Sequence, residues 1–100
     1  MTMAGQVTHV VIFTWIAEAT NAQVAAFGAA LSDLGAELAD MVSMYHGPDL
    51  RFREGNGDYA LVATFPDRAG WDAYQAHPKH KVFVRNFVVP LQASRITIQF

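Results

Sequence analysis

Between Gln6 and Ile16 the chain is apolar at most positions. Val7, Val11, Phe13 and Trp15 share one face with His9, while Val10, Ile12 and Ile16 share the other with Thr8 and Thr14. A half-exposed strand would alternate apolar with polar, so this pattern predicts a strand covered on both sides, by helices on one and a second sheet on the other. The period then changes. Thr20-Asn21-Ala22-Gln23 has the form of a capping box, and Val24, Phe27, Leu31, Leu34, Leu38 and Met41 follow at steps of three and four. That spacing puts one apolar stripe on a helix.

Val42 to Arg53 reads as a second strand with an irregular middle at Gly47-Pro48, since proline has no N–H to give to a ladder. Glu54-Gly55-Asn56-Gly57-Asp58 is a turn, and Tyr59 to Phe65 is a third strand, again apolar on both faces. Asp67 is placed to cap a short helix that carries Trp71 and Tyr74. Pro78 ends that helix and opens another, marked by Val82, Phe83, Phe87 and Val88 and ended by Pro90. Ser94 to Phe100 closes the chain as a strand, with Ile96, Ile98 and Phe100 alternating against Arg95, Thr97 and Gln99. The predicted order, β-α-β-β-α-α-β, is the split βαβ, ferredoxin-like α+β pattern, a four-stranded antiparallel sheet backed by helices.

One hundred residues supply one hydrophobic core, and the chain is read as a single domain, 1–100. Composition adds a partner. Apolar residues make up 52% and charged residues only 16%, an excess that predicts burial against a second copy in a two-fold dimer. The net charge of −2 argues against nucleic acid, which asks for a basic patch. No apolar run is long enough to span a bilayer, and Met1 to Gly5 lacks the regions of a signal peptide, so the expected location is cytoplasmic. The absence of cysteine removes disulfides and thiolate ligands.

Polar chemistry concentrates in Trp71-Asp72-Ala73-Tyr74-Gln75-Ala76-His77-Pro78-Lys79-His80, which holds a phenol and two of the four histidines. These side chains suit proton transfer near neutral pH. His80 follows Pro78 in the first turn of a helix, whose positive end disfavours imidazolium and leaves a neutral base. Tyr74 could polarise a carbonyl beside it. The competing account is structural, with His80 capping the turn and Tyr74 packing with its hydroxyl at the surface. His77, before proline, is expected to bond backbone carbonyls at a helix end. His9 is either a satisfied core residue or a partner that fixes the tautomer of His80. His46 is expected in solvent. His77 and His80 are three apart, but no third ligand is near, so no metal and no organic cofactor is expected. Arg51 and Arg53 could meet an anion, though a solvated strand face accounts for them more simply.

The residues His9-Val10-Val11-Ile12-Phe13, Tyr59-Ala60-Leu61-Val62-Ala63-Thr64-Phe65 and Tyr74 through His80 together resemble the stress-responsive A/B barrel family of dimeric α/β barrels. Its tyrosine, two variable residues and then His-Pro-x-His are all present. The resemblance covers nearly the whole chain and implies two copies closing their sheets into a barrel. Members include a plant polyketide cyclase that makes olivetolic acid by aldol condensation, without metal or cofactor. That cyclase's catalytic histidine and tyrosine fall at His80 and Tyr74, with a supporting histidine at His9. Its pocket phenylalanine falls at Phe27. The pattern departs at Ala60, where the cyclase has a histidine, and at Leu31, where it has a tyrosine. The implied ligand wall is Phe27, Leu31, Val11, Phe13, Val62 and Phe83. The implied activity is a cofactor-independent cyclase or proton-transfer lyase acting on a small hydrophobic or polyketide-like ligand. A non-catalytic, stress-associated ligand-binding dimer and a cofactorless monooxygenase are the alternatives.

Overall fold

A computed structural model of the protein describes residues 5–100. The expectation about a leader at Met1 to Gly5 therefore falls almost wholly outside the described residues. The elements are β1 (Val7–Trp15), α1 (Asn21–Glu37), β2 (Ser43–Pro48), β3 (Tyr59–Phe65), α2 (Arg68–Ala76), α3 (Pro78–Phe83), a π-helical turn (Val84–Val88) and β4 (Gln92–Gln99). The strands lie in the order β2-β3-β1-β4, and every neighbouring pair is antiparallel. This is the ferredoxin-like α+β fold expected from the element order.

Local chemistry sets the boundaries. The Thr20 side chain accepts from the Gln23 backbone N–H at 3.1 Å and the Gln23 side chain accepts from the Thr20 N–H at 2.9 Å, a complete capping box for α1. Asp67 accepts from the Gly70 N–H at 2.7 Å and starts α2. The second strand stops at Pro48 rather than running on to Arg53. From there Asp49 accepts from the Arg51 N–H and the Asn56 side chain, and Arg51 adopts a φ of 60°. The Arg51 guanidinium also reaches Asp58 at 2.6 Å. The segment is a self-bonded loop, so Arg51 faces carboxylates instead of a free strand face.

Side chains from alternate positions divide the sheet. Val11, Phe13, Leu61, Ala63 and Phe65 face the helices and are buried with Phe27, Leu31 and Leu34 of α1. The opposite face is uncovered within the chain. Val10 pairs with Ile98 and Ile12 with Ile96 across that face, and Ile96 is 72% exposed and Ile98 57%. Tyr45, opposite Val62, is 73% exposed.

The contact between α1 and the sheet depends on a missing Cβ. A Cβ on Gly28 would stand 2.8 Å from the Tyr59 hydroxyl, and the Tyr59 ring is held by Trp15 and Phe27. Overpacking of this kind costs about 1–3 kcal/mol, against roughly 1 kcal/mol gained in helix propensity when alanine replaces glycine. Gly28→Ala is expected to lower the urea midpoint in the wild-type background and to be neutral or stabilising in a Tyr59→Phe background. An equal cost in both backgrounds would show that the hydroxyl is not the obstacle.

Candidate functional site

The sequence places Tyr74 at the end of one helix and His80 near the start of the next, with Pro78 between. Proline holds the residue before it in extended geometry, and His77 sits at φ −66°, ψ 134°. His77 thereby ends α2 and caps α3. Its Nδ1 accepts from the Lys79 backbone N–H at 3.1 Å, so it bonds an N–H rather than the carbonyls expected of it. The sharp turn brings the flanking side chains together: the Tyr74 and His80 rings lie 4.4 Å apart, centre to centre, tilted by 50°.

Both line a cavity of about 580 Å³ between the sheet and the α2–α3 corner, within the range of small-molecule sites. Tyr74 is 1% exposed. Burial pushes its phenol up to about 12, so it stays a proton donor at neutral pH. Among the described residues, His80 Nδ1 is one of two buried side-chain polar atoms without a hydrogen-bond partner; Gln92 Oε1 is the other. A buried polar group left unpaired is costly, so a bound molecule that supplies the missing partner gains by doing so.

Burial is the first cause holding His80 below the ordinary imidazole pKa. His9, Arg95 and His77 add to it, while the Gln75 backbone works in the opposite direction. The backbone runs on in αR geometry from α3 into the π-helical turn, so His80 stands in the first turn of one continuous helical segment, near its positive end.

His9 enters the same cavity from β1 and is 6% exposed. The register sets it opposite Gln99 of β4, whose amide nitrogen lies 2.9 Å from His9 Nδ1. Trp71 Nε1–H, which can only donate, points at the same atom from 3.4 Å. Nδ1 is thus the acceptor, which assigns the ring proton to Nε2. Burial, and then Arg95, hold the His9 pKa down.

The expected ligand wall divides. Val11, Phe13 and Phe83 line the cavity. Phe27 and Leu31 are 0% exposed and lie in the core behind it, because the stripe of α1 that carries them packs onto the sheet. Val62 is on the opposite face: it alternates with the buried Leu61 and Ala63 and pairs with Val10 and Tyr45. Ala60 lies on that outer face too, opposite Ile12.

Trp71, Gln99, Lys81, Arg85 and Arg95 also line the cavity, beyond the site residues expected from the sequence. The signal for Arg95 and Gln99 was available in the alternation of β4, once β4 is set beside β1.

A second cavity, of about 820 Å³, lies along α1 and the end of β2 and includes Ser32, His46, Asp58 and Tyr59. Its polar groups bond one another. His46 is half-buried on the helix side of β2 instead of in solvent, with Ser32 Oγ 3.0 Å from its Nε2 and the Tyr59 hydroxyl 2.7 Å from its Nδ1. Burial lowers its pKa. Asp58 accepts from the Trp15 N–H at 2.7 Å, and that bond, with Arg51, holds its carboxyl below the usual range against the opposing effect of burial. Among the described residues, no buried side-chain polar atom without a partner lines this second space.

His9, His46 and His80 all have pKa values below the ordinary 6.5 in the folded chain. Below that pH the unfolded chain binds protons that the folded chain refuses. The histidine contribution to stability is therefore complete above 6.5 and is lost as pH falls through the lowered values. Urea unfolding between about pH 7.5 and about pH 5.5 should show a falling midpoint, with a shallower fall in His80→Gln. A midpoint flat across that window would contradict buried neutral imidazoles.

Comparison with known proteins agrees with this geometry. The description of the stress responsive A/B barrel domain matches residues 7–100. A dimeric ferredoxin-like protein of unknown function from Thermobifida fusca YX superposes with a TM-score of 0.89 at 33% identity, over 100% of this chain and 94% of that one. A hydroxynitrile lyase from Passiflora edulis gives 0.82 at 19% identity, over 96% and 92%. A ferredoxin-like Dabb protein from Mesorhizobium loti gives 0.74 at 23%, over 96% and 95%. No curated protein sequence is a significant match. With its fold, its motif-bearing corner and the match across nearly its full length, the chain belongs to the stress responsive A/B barrel family.

Proposed function

We propose that this protein is a homodimeric, cofactor-independent enzyme that moves a proton at carbon next to a carbonyl, in the manner of an aldol-type cyclase or lyase. The observation that carries the reading is His80 Nδ1, buried and unpartnered, in a cavity shared with a fully buried phenol. A largely neutral His80 takes the proton α to the carbonyl. Tyr74, protonated at any working pH, donates to the oxygen that becomes an enolate or alkoxide. His9, its tautomer set by Gln99 and Trp71, orients the substrate or His80 and touches the reaction from the sheet side. The step balances without an external reductant or oxidant: the C–H bond breaks, its electron pair becomes the enolate, and His80 holds the proton until it returns.

At the level of fold, the Passiflora protein lends support, since the same architecture there houses a lyase. The olivetolic acid cyclase-like subtype remains part of the proposal through the placement of Tyr74, His80 and His9. Deuterium wash-in at the α-carbon of aryl methyl ketones and tetraketide analogues, followed by NMR in D2O, tests the proton transfer without requiring the natural product. Wild type should exceed buffer, and His80→Gln should lose ~10²–10⁴-fold of that excess, with Tyr74→Phe also impaired. Equal exchange by wild type and His80→Gln would reduce the protein to a ligand-binding dimer.

Pairing of two copies rests on the uncovered sheet face with Ile12, Ile96 and Ile98, and on the description of the Thermobifida relative as dimeric. Two such faces closed on each other remove apolar surface that a lone chain leaves in water. Sedimentation at micromolar concentration should give a dimer, and Ile98→Asp a folded monomer. A wild-type monomer would overturn the barrel.

A further inference from the structure

The charges of this chain are not spread evenly. It has seven Lys and Arg residues against nine Asp and Glu. Arg51, Arg68 and Lys79 are held in ion pairs with Asp49 and Asp58, Asp72 and Glu37 respectively. Arg53 is exposed in the loop after β2. The other three, Lys81, Arg85 and Arg95, all line the cavity that holds Tyr74 and His80, and no carboxylate lines it. None of the three has an ion-pair partner among the described residues, and Met1 to Ala4 contain no acid to supply one.

Their placement is two-sided. Lys81 and Arg85 are four residues apart along α3 and the π-helical turn, and both are exposed. The turn closes with Val89 N–H on Val84 carbonyl at 2.9 Å, and Val84, Arg85, Val88 and Val89 all face the cavity. Arg95 comes from the opposite wall. It stands opposite Phe13 on the face of β4 that also carries Thr97 and Gln99. Like charges gathered without a counter-charge repel, yet here they ring a concave apolar space, which focuses a positive potential into it.

We propose that the cavity takes an anionic ligand, a flat, apolar-bodied carboxylic acid, with its carboxylate on Arg95 between Lys81 and Arg85 and its body against Phe13, Leu61 and Phe83. The proposal deepens the proton-transfer reading and shares its cavity, but it does not require the chemistry. Arg is suited to the role because its planar fork meets a carboxylate through two parallel hydrogen bonds. A consequence follows for the base. Arg95 holds down the protonated forms of His9 and His80, and a carboxylate seated on it offsets that field. Binding the acid therefore makes His80 a stronger base at the moment it is needed.

Calorimetric titration with 2-naphthoate and the isosteric 2-naphthamide, at low and high salt, tests the assignment. Wild type should favour the acid by about tenfold or more, and the preference should shrink with salt. Arg95 is exposed on an edge strand, so Arg95→Gln should fold normally and lose the preference for the acid. His80→Gln should keep that preference. Acid preference that persists in a protein inert in deuterium exchange supports this proposal while the catalytic one fails. No binding of naphthoate, equal affinity for acid and amide, or a preference untouched by Arg95→Gln would overturn it. Inorganic phosphate binding as tightly as naphthoate would overturn it too, by showing a site for anions without regard to the apolar body.

Discussion

Phe27 is the side chain around which the rest is arranged. It is wholly buried, and its ring packs against Trp15 at 4.9 Å, Tyr59 at 5.0 Å, Phe13 at 5.3 Å and Phe83 at 5.4 Å, centre to centre. Those rings come from β1, β3 and α3, so one residue of α1 clamps the helical layer to the sheet. Edge-on and tilted arrangements of this kind add to the area they bury. The clamp also partitions space. Trp15 and Tyr59 line one cavity, Phe13 and Phe83 line the other, and Phe27 lines neither. A phenylalanine that looked like a ligand wall is instead the partition that lets two separate cavities exist.

On the far side of that partition, the chemistry follows from who supplies hydrogen bonds. Around Ser32, His46 and Tyr59 each polar atom finds another, and the result is a tie between α1, β2 and β3. Around His80 the supply runs short. Its Nδ1 is buried beside the Tyr74 ring with no hydrogen-bond partner among the described residues. His9 differs again, because Gln99 and Trp71 occupy one of its ring nitrogens and so determine where its proton sits. These three histidines thus carry different work, according to their partners.

Much of the fold was legible in the chain. The capping box at Thr20, the cap at Asp67 and the break at Pro78 act within a few residues, so their effect on the backbone needs no knowledge of the rest. The strand at 42–53 was read too long because the ladder ends at Pro48, and the following loop is held by side chains of Asp49 and Asp58 that spacing does not reveal. His46 is turned inward because no bulge interrupts β2 at Gly47-Pro48: the ladder is regular from Ser43 to Pro48, and the pleat sends His46 to partners thirteen and fourteen residues away. Val62 was assigned to the ligand wall although β3 is apolar on both faces, and apolarity alone does not say which face has the cavity.

By itself the sequence determined the order of elements, the family and the corner that joins Tyr74 to His80, since capping, proline geometry and hydrophobic period are local forces. Only the tertiary structure decided the rest. The register of β1 with β4 put Gln99 on His9 and aimed Arg95 into the cavity. Packing around Phe27 chose which aromatics became core and which became wall. Both depend on residues far apart in the chain meeting across a sheet, where a shift of one position would exchange the faces.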